Sequence, residues 1–179
     1  MHHQDIYHLC LCPDLIFVRF DRDNVPRPLL IDLGAVCSTQ DTGLDWDSWL
    51  VPLAYRPPEV VQSGRIISAP ATDVYGLGII LYELLAGRPL YEYRQRTDAD
   101  IRNSILREQP AVINRSELAG IPEIAEQAGS KNYRLRQNDV LTLLAQLQNL
   151  FPSLPKEKQP RRINWQLVAV VAGVLVVIT

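Results

Sequence analysis

The sequence predicts a mainly α-helical domain with one small β-hairpin, and three observations carry that expectation. Apolar residues recur at Val74, Leu77, Ile80, Leu81, Leu84 and Leu85, close to the i, i+3, i+4, i+7 stripe of a helix. Two short apolar runs, Leu15–Val18 and Leu29–Ile31, flank the turn-rich stretch Asp21-Arg-Asp-Asn-Val-Pro-Arg-Pro28, the pattern of two strands joined by a polar tip. The composition, 47% hydrophobic and 21% charged over 179 residues, is that of a globular chain and excludes a disordered or collagen-like one. At about 150 residues per domain, this length allows one full core and little more.

Residues 35–58 follow the hairpin with no period and with three prolines and Gly43, so a long loop is expected there. The pattern turns helical from Asp73. Between Tyr75 and Leu85 the segment is apolar on almost every side, which marks a central, buried helix with Gly87 placed as its C-terminal cap. Asp100–Glu108 and Asp139–Leu150 read as further helices, with a weaker one over Ile121–Gln127 around Pro122. Residues 1–150 form the folded domain in this reading. Residues 151–163 are a linker, because 152–162 hold three prolines and five charges.

The last segment, 164–179, is hydrophobic. Leu167–Ile178 is 12 residues of apolar side chains or Gly. At about 1.5 Å per residue it covers ~18 Å, short of a ~30 Å hydrocarbon core. Arg161-Arg162 and Trp165 on its polar side are nevertheless positive-inside and interface signals. The expectation is a transmembrane segment cut short in this sequence, a single-pass protein and a cytoplasmic main domain. A buried Val-rich strand is the alternative.

Charge and cysteine usage narrow the classes. Lys and Arg total 18 against 20 acidic residues, a net charge of −2, so nothing asks for nucleic acid. Cys10, Cys12 and Cys37 are odd in number, which suits a reducing compartment better than a disulfide framework. No signal peptide is expected, since the first dozen residues carry three His and an Asp rather than an apolar run.

Five motifs then carry a resemblance. His8-Leu-Cys-Leu-Cys-Pro-Asp-Leu-Ile-Phe-Val18 resembles the catalytic loop of eukaryotic-type protein kinases, His-Arg-Asp-Leu-Lys-Pro-Glu/Asp-Asn-Ile-Leu. Leu30-Ile-Asp-Leu-Gly34 resembles the metal-binding Asp-Phe-Gly, and Tyr55-Arg-Pro-Pro-Glu59 the Ala-Pro-Glu that ends the activation segment. Asp73-Val-Tyr-Gly-Leu-Gly78, continuing to Pro89, resembles helix F, and Arg134-Leu-Arg-Gln-Asn-Asp-Val-Leu141 the Arg-Pro-Ser motif before the last helix. Together, in family order and spacing, they are far more specific than any one alone. The resemblance implies the C-terminal lobe of the protein-kinase-like fold. The Gly-rich loop, strand-three Lys and helix-C Glu would lie ahead of Met1. A truncated gene, or an N-lobe on another chain, is the expectation.

The resemblance also implies residue roles. Asp32 falls on the Mg²⁺ ligand, Phe17 beneath the adenine, Leu33 and Gly34 on the rest of the metal motif, and Asp73 on the anchor of the catalytic-loop backbone. Glu59 and Arg134 match the family's buried ion pair, and His8 reads as a structural histidine bonded inside the core. Mg·ATP is implied by resemblance only. The catalytic positions themselves are degenerate: the base is Cys10, the loop Lys is Cys12, the second-metal Asn is Leu15, and Leu9 replaces the Arg that pairs with a phosphorylated loop.

A thiol is a soft, mostly protonated group and replaces neither a carboxylate nor a Lys. Loss of a general base is worth roughly 10²–10⁴-fold in rate. A Zn²⁺ site at Cys10, Cys12, Cys37 and His8 is not expected, because Cys-x-Cys lacks the usual spacing. The chemistry therefore reads as a membrane-anchored pseudokinase lobe, a binding or scaffold module in signalling that meets a protein partner or a separate N-lobe. The bacterial receptor-type Ser/Thr kinases have a similar layout. The alternatives are a fragment of an ATP-dependent Ser/Thr protein kinase and a non-functional gene fragment.

Overall fold

A computed structural model describes residues 2, 5–31, 37–38, 52–113 and 120–151. Among the described residues, two small antiparallel sheets precede five α-helices. Strand β1 (Ile6–Tyr7) pairs with β4 (Cys37–Ser38), and β2 (Ile16–Phe20) pairs with β3 (Pro26–Leu30). The helices are α1 (Pro58–Ser63), α2 (Ala69–Ala86), α3 (Asp98–Arg107), α4 (Ile121–Ala128) and α5 (Val140–Leu150).

The hairpin β2–β3 closes on the side chain of Asp21. Its carboxylate accepts from the amides of Asp23 and Val25 at 3.0 and 2.9 Å and from Arg27 Nε at 2.9 Å, a short polar side chain fixing a turn. Pro26 and Pro28 stand opposite Phe20 and Val18. Ile31 N–H donates to Leu15 O one step along the ladder. The alternation of an antiparallel pair then puts both prolines at positions whose missing N–H would face away from β2.

Helix α2 is the axis of the fold. Ser68 caps it, accepting from Ala71 N, Pro70 sits harmlessly in its first turn, and Gly87 ends it at φ 68°. It starts at Ala69 rather than Asp73, because a proline in a first turn removes no intrahelical hydrogen bond. Val74, Tyr75 and Ile79 are essentially inaccessible, and they face different neighbours. Val74 packs with Ile124, Ala128 and Leu143 of α4 and α5. Tyr75 and Ile79 pack with Leu9, Cys10 and Cys12 and with Ile101 and Ile105 of α3.

Two glycines permit the close approaches. A Cβ on Gly76 would lie 2.8 Å from Leu11 Cβ, and one on Gly78 would lie 2.6 Å from Ala128 Cβ. A side chain at either position would push the loop or α4 off the axis.

Local signals set the remaining ends. Thr97 and Asp100 form a reciprocal capping box at α3, and Asp139 caps α5 by accepting from Thr142 N at 2.7 Å. The expected long loop over residues 35–58 is corrected at its described parts. Cys37–Ser38 is a strand, Leu53–Tyr55 a 3₁₀ turn, and Pro58 begins α1, where proline is preorganised as the first helical residue.

Among the described residues no helix is long and apolar enough to cross a membrane. The expected hydrophobic segment 164–179 and most of linker 151–163 lie outside them, as do Asp32, Leu33 and Gly34.

Candidate catalytic-loop site

Residues 8–15 connect β1 to the hairpin and lie against α2. Their path is dictated by one carboxylate. Asp73, 2% exposed in the first turns of α2, accepts from His8 N at 2.8 Å and Leu9 N at 2.6 Å. His2 Nε2 meets the same carboxylate at 2.9 Å. At the second of those amides Leu9 adopts φ 67°, a left-handed backbone that costs a non-glycine residue of order 1–3 kcal/mol and persists only where the surroundings over-determine it. The Asp73 carboxylate is that surrounding.

The loop then turns inward. His8, Leu9, Cys10, Leu11 and Cys12 are all buried, and a 3₁₀ turn over Pro13–Leu15 carries the chain into β2. Both ring nitrogens of His8 lack a hydrogen-bond partner among the described residues, so the expected bonding of its ring within the core is not seen there.

The chemistry of the loop follows from these placements. Cys10 and Cys12 are buried thiols, not half-cystines. Burial pushes the Cys12 thiol up, more than the backbone hydrogen bonds from Asp14 and Leu15 pull it down, so it holds its proton at neutral pH. Where the catalytic-loop motif has a Lys, the site therefore presents a neutral, buried sulfur. Among the described residues no group of three His, Cys, Asp or Glu side chains could hold a metal ion. Phe17, on β2, is 58% exposed. Asp32 lies outside the described residues.

A second, half-buried link was not anticipated. The Tyr55 hydroxyl donates to both Glu83 oxygens, at 3.0 and 3.2 Å, tying the segment before α1 to the far half of α2. Burial raises the Glu83 carboxyl, and the Tyr55 hydrogen bond offsets part of that rise. The two residues are 28 apart, with no pattern linking them.

The expected Glu59–Arg134 ion pair is corrected. Glu59 pairs with Arg136, both Nη atoms lying 2.7 Å from the two carboxylate oxygens. Arg136 also donates to Ala71 O at 3.0 Å and Ser130 O at 2.8 Å and stacks 4.6 Å from the Tyr75 ring centroid. Arg134 is exposed, and its Nε reaches only the hydroxyl of neighbouring Tyr133. The reason is positional: Arg134 and Leu135 lie exposed within the 3₁₀ turn Tyr133–Leu135, and Arg136, which follows the turn, is buried.

The model of the protein kinase domain family matches residues 1–166. The chain belongs to the protein kinase domain family. Among curated proteins it is similar to a serine/threonine-protein kinase of Scheffersomyces stipitis, 24% identical over 160 residues, a match that covers 82% of this chain and 34% of that protein. It is also similar to a probable serine/threonine-protein kinase of Dictyostelium discoideum, 27% identical over 96 residues, covering 54% of this chain and 20% of that protein. The matches thus span about a third and a fifth of the length of these relatives. The Glu59–Arg136 pair ties the first turn of α1 to the residue that follows the 3₁₀ turn Tyr133–Leu135.

Proposed function

We propose that this chain is a catalytically silent kinase-like lobe, a pseudokinase that serves signalling as a binding or scaffold module. The observation that carries the reading is the buried loop itself. The scaffold that shapes a catalytic loop is present in the Asp73 anchor, while the base position holds Cys10 at 4% exposure. A phosphoryl group needs a base for the acceptor hydroxyl and cations for its own charge. Cys10 supplies no carboxylate, and a triphosphate approaching Cys12 would meet a buried, protonated thiol instead of a Lys.

If Mg·ATP binds, the residue of this chain fitted to hold the metal is Asp32, through hard carboxylate oxygen. Mg²⁺ would supply neutralisation of phosphate charge. The thiol at Cys12 would add nothing to it.

The test is phosphotransfer from Mg·ATP to a protein Ser/Thr substrate by the longest natural form of the protein. The expected result is no transfer above the protein-free rate. Turnover in the ordinary kinase range, about 1–100 per second, would instead establish the second reading, a fragment of an ATP-dependent Ser/Thr protein kinase. That reading is favoured by the similarity to serine/threonine-protein kinases and by the intact Asp73 anchor.

We propose further that residues 164–179 attach the domain to a membrane, with Arg161-Arg162 on the cytoplasmic side. Residues 1–155 should then partition to the soluble fraction and 1–179 to membranes. Equal partitioning would remove the membrane claim.

A further inference from the structure

Away from the loop, α2, α4 and the segment 110–113 enclose a cavity of about 130 Å³. Ile79 and Tyr82 of α2, Ala125 of α4 and Gly129 just after α4 form its buried floor. The strap Pro110-Ala-Val-Ile113 runs over it, tied down by the Tyr82 hydroxyl donating to Ala111 O at 2.9 Å. Val112 lines the cavity while 90% exposed, so an apolar side chain stands unpartnered at the rim.

The rest of the rim is charged. Glu123 and Glu126 both line the cavity, one turn apart on α4, and both are exposed. Two carboxylates at that spacing repel each other. Neither has a cationic partner among the described residues.

From this geometry we infer a binding site for an organic ammonium ion: one apolar ring or branched alkyl group seated against Ile79, Tyr82 and Ala125, with its cation between Glu123 and Glu126. Size and charge each restrict the ligand. An apolar cavity near 150 Å³ accepts one benzene ring, so the floor takes a single such group. A neutral or anionic ligand would leave the carboxylate pair unrelieved, whereas an ammonium answers it with charge-assisted hydrogen bonds. The site is remote in character from phosphoryl transfer, and its test reads binding alone, so it stands or falls apart from the pseudokinase reading.

The experiment titrates the full 179-residue chain with 2-phenylethylamine and, separately, 2-phenylethanol, following backbone amides by NMR. Saturable shifts are expected at Gly78, Ile79 and Gly129, with the amine binding at least about tenfold more tightly, or about 1.4 kcal/mol. In Glu123→Gln/Glu126→Gln, whose side chains are exposed and leave the fold intact, the amine should fall to the affinity of the alcohol. A parallel arm with acetyl-leucyl-arginine amide separates a free amine from a peptide-borne cation; tighter binding at the same amides names the peptide as the source. Absence of saturable shifts at those amides, equal binding of amine and alcohol, or a preference that survives the double substitution would each overturn the assignment.

Discussion

Arg136→Met tests the corrected ion pair and separates it from its neighbour. The substitution keeps a side chain of similar length and removes the guanidinium, which is fully inaccessible and paired with a Glu59 carboxylate 6% exposed. Glu59 is left as a buried charge without its partner, a change worth about 3–5 kcal/mol. Ala71 O and Ser130 O each lose a donor as well, but these costs overlap with the first and do not simply add. Against a total stability of roughly 5–15 kcal/mol, the loss is a large fraction. At about 2–4 °C per kcal/mol for a chain of this size, the melting temperature should fall by roughly 10 °C.

The assay is thermal and urea unfolding by circular dichroism, with Arg134→Ala as control, expected within about 0.5 kcal/mol of the parent because that side chain is exposed. The double variant Glu59→Leu/Arg136→Met should cost clearly less than the two single changes summed, since it buries no unpaired charge. An Arg136→Met cost below about 1 kcal/mol, or an Arg134→Ala cost equal to it, would refute the assignment of the pair.

Other outcomes follow from single contacts. Asp73→Ala should abolish slow hydrogen exchange at the His8 and Leu9 amides, which lose their acceptor; unchanged protection there would show that another group shapes the loop. Gly78→Ala should destabilise by about 1–3 kcal/mol in urea titration, because its Cβ would sit 2.6 Å from Ala128 Cβ. Hydrogen bonds from Thr142 hold the Asp139 carboxyl below the usual carboxylate range, so its stabilisation is present above the unfolded pKa and fades as pH falls through the lower folded value. Asp139→Asn should keep the cap and lose that acid-side slope in pH-dependent unfolding. Native Cys12 should resist iodoacetamide at pH 7.5 and react only after denaturant is added, as burial raises its thiol; rapid native labelling would contradict its placement.

The sequence made some of this plain and hid the rest for physical reasons. The hairpin and α2 were legible because each presents its own period over enough residues to outvote local exceptions. Helix α1 was not, because Pro57-Pro58 reads as a break, although the second proline serves as a first helical residue and only six residues follow the helical pattern. The first turn of α2 was missed for the same reason at Pro70. The resemblance pointed to Asp73, and the Asp73 carboxylate takes the two loop amides. It also pointed to an Arg two positions early, since Arg134 and Arg136 are chemically identical and only the intervening turn decides which one faces Glu59. Tyr55 and Glu83 meet through tertiary packing alone.

The two hydrogen bonds that Asp73 accepts from the loop come from main-chain amides, a group that every residue except proline offers. The anchor is therefore indifferent to which side chains hang from positions 8 and 9, and it places no demand on position 10. A change of side chain at these positions meets no penalty from this anchor, only from the core in which the side chains are buried. Proline is the one residue the anchor would refuse. The selection that acts on these side chains comes instead from burial and from the φ of 67° at Leu9. A library randomised at positions 9 and 10 and sorted for folding should therefore exclude proline at 9 and return residues that fit a packed core.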